Sequence, residues 1–151
     1  MTTTRAERVS ISRDAPALYR AQAALDRAVR DSALDTELYE LVKIRASQLN
    51  GCAYCIDMHT RQARADGETE RRLYAIAAWR ESPLFTERER AAFALTDALT
   101  LIAGDDGRLD SAYDQAAEHF STDELAALLY GIASVNSWNR LAVATHSVFE
   151  P

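Results

Sequence analysis

DTELYELVKIRASQLNGCAYCIDMHTRQARADG, residues 35–67, reads as two helices joined by a tight turn. Asp35 or Thr36 starts the first, and Leu38, Leu41, Val42, Ile44 and Leu49 recur along its apolar face at helical spacing. Asn50-Gly51 ends it, because glycine tolerates the left-handed conformation just past a helix terminus. The second helix begins around Cys52 and runs to Asp66-Gly67. Upstream, Asp14 offers an N-cap and Pro16 a first turn for a helix carrying Leu18, Leu25 and Val29. Residues 1–13 are polar and Thr-rich and are expected to form a flexible arm, ahead of a single helical domain over 14–151. Downstream, a helix over about Thr69 to Trp79 stops at Ser82-Pro83. Thr86 with Glu89 forms a capping box that opens a helix through Phe93, Leu95, Leu99 and Ile102 to Gly104. A short helix over roughly Asp110 to His119 follows. A second capping box, Ser121 with Glu124, starts a segment running through Leu128, Ile132 and Trp138 to Val143. That segment is apolar around much of its circumference, which predicts burial in the core or against another subunit. The fold class is all-α, a compact bundle of about six to seven helices.

Composition agrees with this reading and narrows the function. The 151 residues hold 28 Ala and 16 Leu against five Gly and three Pro, which favours helices over a turn-rich sandwich or barrel. A formal charge of −6 disfavours a nucleic-acid partner, which would want a basic face. No apolar run approaches the ~20 residues that span a bilayer, and no basic-then-apolar leader opens the sequence. These features lead us to expect no membrane partner and a cytoplasmic location. Arg61, Arg64, Arg71 and Arg72 read as a solvated face balanced by nearby acids, and His119 and His146 as structural. Trp79 and Trp138 read as core or interface residues. An offset of 87 residues pairs Glu37-Leu38 with Glu124-Leu125, Ala46-Ser47 with Ala133-Ser134 and His59 with His146. Decayed duplication of a helix pair and chance likeness of two Ala/Leu-rich helices explain this equally well.

Two cysteines are too few for a disulfide scaffold, so their placement carries the information. Gly51 breaks the preceding helix and leaves Cys52 and Cys55 in the first turn of the next. Unpaired amides and the helix dipole there stabilise an anion, which makes a thiol more acidic and more reactive at neutral pH. Residues three apart share a helix face, so the two sulfurs can close a disulfide. His59 lies one turn beyond Cys55 and is better placed to take its proton than that of Cys52. Glu40 joins this set if the two helices pack as an antiparallel hairpin. It lies ~15 Å of helix before the turn and His59 ~12 Å after it, so the side chains sit at similar heights. A carboxylate beside an imidazole orients it and makes it a better base, the usual arrangement around an activated thiol. Glu40 stands among Leu38, Leu41 and Val42, which predicts partial burial and a raised pKa.

Glu40, Cys52, Cys55 and His59 at these spacings resemble the motif of the alkylhydroperoxidase D-like branch of the carboxymuconolactone decarboxylase family. The likeness runs from about Pro16 through Ala103. It includes Glu40-Leu-Val-Lys-Ile-Arg-Ala-Ser, Asn50-Gly-Cys and Trp79-Arg-Glu-Ser-Pro-Leu-Phe-Thr, with Asn139-Arg-Leu-Ala fitting the short single-domain members. The resemblance implies an all-α fold, assembly into a homo-oligomer (trimer or hexamer), and a two-cysteine peroxidase activity in antioxidant defence. It implies Cys55 as the peroxidatic cysteine, Cys52 as the resolving and exchange cysteine, and Glu40 with His59 as proton relay. The implied partners are a hydroperoxide substrate, a dithiol reductant such as a lipoylated protein, and a peroxiredoxin. No cofactor and no metal are implied. In one respect the sequence departs from the better-known peroxidase. That enzyme carries a His before its second Cys; this chain has Tyr54, whose phenol is a poor proton shuttle.

Other readings of the same residues are a pair of core thiols, a carboxymuconolactone decarboxylase-like enzyme, and a non-catalytic helical oligomer that senses redox state. Zinc held by Glu40, Cys52, Cys55 and His59 is a further one, but a closed structural site usually draws on a second Cys/His pair, and the sequence has none. No P-loop, dinucleotide glycine turn or His-Glu-x-x-His motif is present.

Overall fold

Glycine and asparagine place the central hairpin where the spacing predicts it. In the computed structural model, which describes residues 6–147, the first helix of the hairpin is Thr36–Asn50 and the second Ala53–Ala65. Asp35 caps the first, accepting from the amides of Glu37 and Leu38. Gly51 ends it at φ 64°, in the left-handed region, and Cys52 N–H returns to Ser47 O at 3.0 Å.

In chain order the helices are α1 Ile11–Asp14, α2 Pro16–Arg30, α3 Thr36–Asn50, α4 Ala53–Ala65, α5 Glu70–Ala75, α6 Glu87–Thr100, α7 Arg108–Ala117 and α8 Thr122–Thr145. Short 3₁₀ turns over Ile76–Ala78 and Ile102–Gly104 follow α5 and α6. Among the described residues there is no strand, so the fold is all-α, with eight α-helices where six to seven were expected. The additional one is α1, a single turn held by the Asp14 carboxylate accepting from Ser10 N–H at 2.9 Å. Asp14 therefore closes α1 and does not cap α2, which starts at Pro16 without a side-chain cap. Residues 1–5 of the expected arm lie outside the described residues. Within the remainder, Arg8 N–H donates to Thr145 O at the end of α8.

The middle of the molecule is α3, packed against α4, α6 and α8, with α2 on α8 and α7 on α6. Two apolar clusters flank it. One gathers Val29, Tyr39, Val42, Leu95, Leu128 and Ile132; the other gathers Leu41, Ile44, Leu73, Trp79, Phe85 and Phe93. With cores on both sides, α3 buries nine of its 15 residues, Glu40 and Lys43 included. At Gly131 α8 packs tightly on α3, where a Cβ would come within 2.7 Å of the Tyr39 ring. Both capping boxes form, at Thr86/Glu89 and Ser121/Glu124.

On α2 only Val29 is buried and Leu18 is 73% exposed, so that spacing marks an outer as well as an inner face. And α8 is one unbroken helix through Trp138, the residue matching Gly51 in the 87-residue offset, so the second half does not repeat the helix pair. Its role at the hairpin is to hold the turn. Asn50 Nδ2 donates to Asn136 and Asn139 side-chain oxygens at 3.0 and 2.9 Å, and buried Asn139 donates to Ser47 Oγ at 2.9 Å. Leaving such a buried amide unpaired costs about 1–3 kcal/mol, so this set fixes the turn that carries Cys52.

Candidate active site

Cys52 is the N-cap of α4, and its Sγ accepts the Cys55 N–H at 3.3 Å. The two sulfurs are joined as a disulfide across a Cα–Cα distance of 5.3 Å, and both residues are buried. The αL turn at Gly51 makes this possible, since it ends α3 one residue before the cap and starts a new helix with both cysteines in its first turn. One turn further along α4, His59 Nδ1 meets Glu40 Oε2 at 3.2 Å. The matched heights of these residues on the hairpin therefore translate into a direct contact.

Glu40 is buried on α3, with Lys43 Nζ 2.7 Å and Arg30 Nη2 3.5 Å from its Oε1. The Lys43 pair is off-line for hydrogen bonding: among the described residues neither Glu40 Oε1 nor Lys43 Nζ has an aligned partner. Lys43 also lies over the Tyr39 ring, 4.3 Å from its centroid, and Tyr39 donates its hydroxyl to Asp26 at 2.7 Å. Burial and the Asp26 bond push the Tyr39 phenol far up, so it stays protonated. Burial alone would raise the Glu40 carboxyl, but the hydrogen bond with His59 and the charge of Lys43 outweigh it and hold the group below its ordinary value. The expectation of a raised pKa is thus corrected. The apolar neighbours on α3 predict the burial, while the cation three residues on decides the sign. As a carboxylate, Glu40 can only accept, so His59 Nδ1 is the donor and Nε2 is the nitrogen free to exchange a proton.

A cavity of about 410 Å³ opens beside these residues. Cys55, His59, Glu40 and Tyr54 line it, with Arg30 and Asp26 from α2; Cys52 is not among its lining residues. Tyr19 and Trp138, edge to face at 5.4 Å, supply an aromatic wall with Met58 and Leu141 alongside. The sequence placed Trp138 in the core or an interface; the structure puts it, half-buried, in this wall. Of the four residues singled out by spacing, Glu40, Cys55 and His59 share the cavity and Cys52 sits behind it.

Spacing missed Lys43, Arg30 and Tyr19. Lys43 did carry a signal, as a lone cation between Val42 and Ile44 and three residues from Glu40 on one helix face. Arg72 departs from the expected solvated face, since it is half-buried and bridges Glu68 and Glu89 over the Phe85 ring. Trp79 is core, and His146 takes the left-handed cap of α8. Among the described residues no three His, Cys, Asp or Glu side chains gather to hold a metal ion. Nor is any helix among them long and apolar enough to cross a membrane.

Residues 16–98 match the model of the carboxymuconolactone decarboxylase family. The uncharacterized protein YdfG of Bacillus subtilis (strain 168) is 39% identical over 139 residues, 91% of this chain and 93% of its own. A crystal structure of ATU0492 from Agrobacterium tumefaciens, a protein of unknown function whose name ties it to the antioxidant defence protein AhpD, is 38% identical. It superposes with a TM-score of 0.92 over 97% of this chain and 99% of that one. The debrominase Bmp8, solved with 2,3,4-tribromopyrrole, shares the fold at 23% identity and a TM-score of 0.80, over 93% of this chain and 74% of that one. From the matched residues, the close relatives and the all-α architecture, the chain belongs to the carboxymuconolactone decarboxylase family and has the alkylhydroperoxidase D-like fold.

Proposed function

We propose that the protein is a thiol-dependent hydroperoxidase that reduces an organic hydroperoxide at Cys55 and stores the oxidation as the Cys52–Cys55 disulfide. The observation that carries this reading is the shared cavity: Cys55, His59 and Glu40 open into one space, with Cys52 bonded to Cys55 from behind. In the reduced protein, His59 Nε2 takes the Cys55 thiol proton while its Nδ1–H stays on the Glu40 carboxylate. The Cys55 thiolate attacks the peroxide oxygen, the O–O bond breaks, and the alkoxide leaves as alcohol with the proton from His59. Cys55 is now a sulfenic acid. The Cys52 sulfur attacks it, the S–S bond forms and water leaves, so one hydroperoxide oxidises two thiols. A dithiol returns two electrons by thiol–disulfide exchange and completes the cycle.

Glu40 in this scheme acts on His59 rather than on substrate. Held ionised by Lys43, it fixes the tautomer and stabilises the imidazolium during the transfer. The apolar and aromatic side of the cavity supports an organic group on the peroxide.

Steady-state consumption of cumene hydroperoxide with dihydrolipoamide or dithiothreitol tests the reading. Saturable turnover is expected, lost to background in Cys55→Ser. Consumption no faster than the dithiol alone would instead favour a redox sensor, whose disulfide forms slowly and without turnover. The Tyr19–Trp138 wall beside Cys55 favours a second reading, because a flat halogenated ring fits such a wall and the debrominase shares the fold. There the same two thiols would replace a carbon–halogen bond by carbon–hydrogen and release halide, so bromide formed from 2,3,4-tribromopyrrole is its distinguishing product.

A further inference from the structure

We infer that the external reductant attacks Cys55 Sγ, from the cavity, and that Cys52 is the leaving thiolate of that step. The inference rests on the redox reading of the cysteine pair, and it departs from the exchange role that the family resemblance assigns to Cys52. Three observations carry it. The cavity reaches Cys55 and is not lined by Cys52, so a sulfur that enters this cavity meets only one end of the disulfide. Both cysteines are buried, Cys52 at 1% and Cys55 at 2% exposure, but Cys52 belongs to the α3–α4 turn that Asn50 and Asn139 pin to α8, on the side away from that cavity's lining. And Cys52 Sγ is the N-cap of α4, already accepting the Cys55 N–H, so negative charge arriving there meets a donor and the positive end of a helix dipole. Thiol–disulfide exchange is faster when the leaving sulfur is the better-stabilised thiolate, so access and leaving-group chemistry select the same direction.

An external thiol gives its proton to His59 Nε2 and its sulfur attacks Cys55 Sγ. The Cys52–Cys55 bond breaks, its electron pair passes to Cys52, and Cys55 carries a mixed disulfide. The second thiol of the dithiol then attacks the reductant's own sulfur in that mixed disulfide, closing the reductant into its cyclic disulfide and releasing Cys55. Two electrons have passed to the protein. Cys55 is thus the only sulfur that meets outside molecules in either half of the cycle, and Cys52 stays an internal partner.

The test uses the oxidised wild-type protein and 2-mercaptoethanol as probe, without peroxide. After seconds of reaction, free thiols are trapped with N-ethylmaleimide, and the adduct is located by fragment ions within tryptic peptide 46–61, which holds both cysteines. Mercaptoethanol on Cys55 and maleimide on Cys52 are expected, in excess by at least roughly tenfold. Equal labelling, or the adduct on Cys52, overturns the inference. Single-cysteine variants guard against migration of the adduct. Cys55 in Cys52→Ser should react with 5,5′-dithiobis(2-nitrobenzoate) at least about tenfold faster than Cys52 in Cys55→Ser, with the difference gone in guanidinium chloride. A Cys52 as fast as Cys55 in the folded variants overturns the inference too. Since no peroxide is involved, a protein that labels at Cys55 and yet consumes no hydroperoxide would refute the proposed function and keep this inference.

Discussion

Among the described residues two carboxylates are buried, Glu40 and Asp97, and their surroundings differ in one respect that separates a working group from a clamp. Asp97, on α6, has donors aligned on both oxygens. Arg45 Nε and Nη2 approach at 2.6 and 3.1 Å, Arg80 Nη1 at 2.7 Å and Trp79 Nε1 at 3.2 Å. It faces the larger cavity, about 530 Å³, yet no cysteine or histidine lines that space. Its bonds tie α6 to α3 and to the turn after α5. Glu40 has a single aligned hydrogen bond, from His59, and beyond it only charge: Lys43 and the more distant Arg30. Size of cavity therefore does not mark the reactive site. An incompletely satisfied buried carboxylate, next to an imidazole and a cysteine, does.

Substitution of either carboxylate should separate the two roles. Asp97→Ala should have the largest effect on stability, a loss approaching about 3 kcal/mol, because it strands the half-buried Arg45 and leaves Trp79 Nε1–H without its acceptor. Urea unfolding measures it, and turnover per folded molecule should stay at the wild-type level. A drop in that turnover would place Asp97 in the chemistry. At the other carboxylate, Glu40→Gln combined with Lys43→Met removes both charges of the buried pair. Stability should hold or rise, since neutral side chains of similar volume replace a buried ion pair without loss. Turnover should fall by roughly 10²-fold, the lower end of what a positioned acid–base group contributes. Full turnover in this double variant would reduce Glu40 to a structural residue.

Lys43→Met alone should act least on the plateau rate and most on the pH profile. Burial then raises the Glu40 carboxyl with one less cation to oppose it, so the acid limb of the rate profile moves to higher pH. Stability follows the same sign. A carboxyl whose pKa is depressed on folding contributes stability above its unfolded value, near 4.5, and loses it as pH falls through the lower folded value. In Lys43→Met the folded value rises toward the unfolded one, so less stability is lost on acidification and the loss is complete at higher pH. An acid limb that stays in place would show that Lys43 does not govern Glu40.

Much of this was legible in the sequence because it is local. Glycine after Asn50, the capping boxes at Thr86 and Ser121, and the spacing of Cys52, Cys55 and His59 act over a few residues of one chain segment. The Glu40–His59 contact needed only helix rise and the turn between them. What escaped depends on partners distant in sequence. Lys43 sits on the same face as Glu40 in any helix, but its burial follows from α3 being enclosed by α4, α6 and α8, with the Tyr39 ring beneath it packed on Gly131 of α8. With that burial comes the sign of the Glu40 shift. Trp138 reads as core from its apolar neighbours, and becomes a cavity wall because Tyr19 of α2 meets it edge to face. The α1 turn is a single turn set by Ser10 and Asp14, too short to leave a periodic pattern.

A two-electron reaction at Cys55 that ends in the disulfide with Cys52 is measured in a single turnover. Fully reduced protein, free of dithiol, is mixed with one equivalent of cumene hydroperoxide. Free thiols are counted by maleimide mass labelling and cumyl alcohol by chromatography. The prediction is one alcohol formed for the two thiols lost per chain, with the loss complete before any oligomer change. Alcohol absent while both thiols remain free would contradict it.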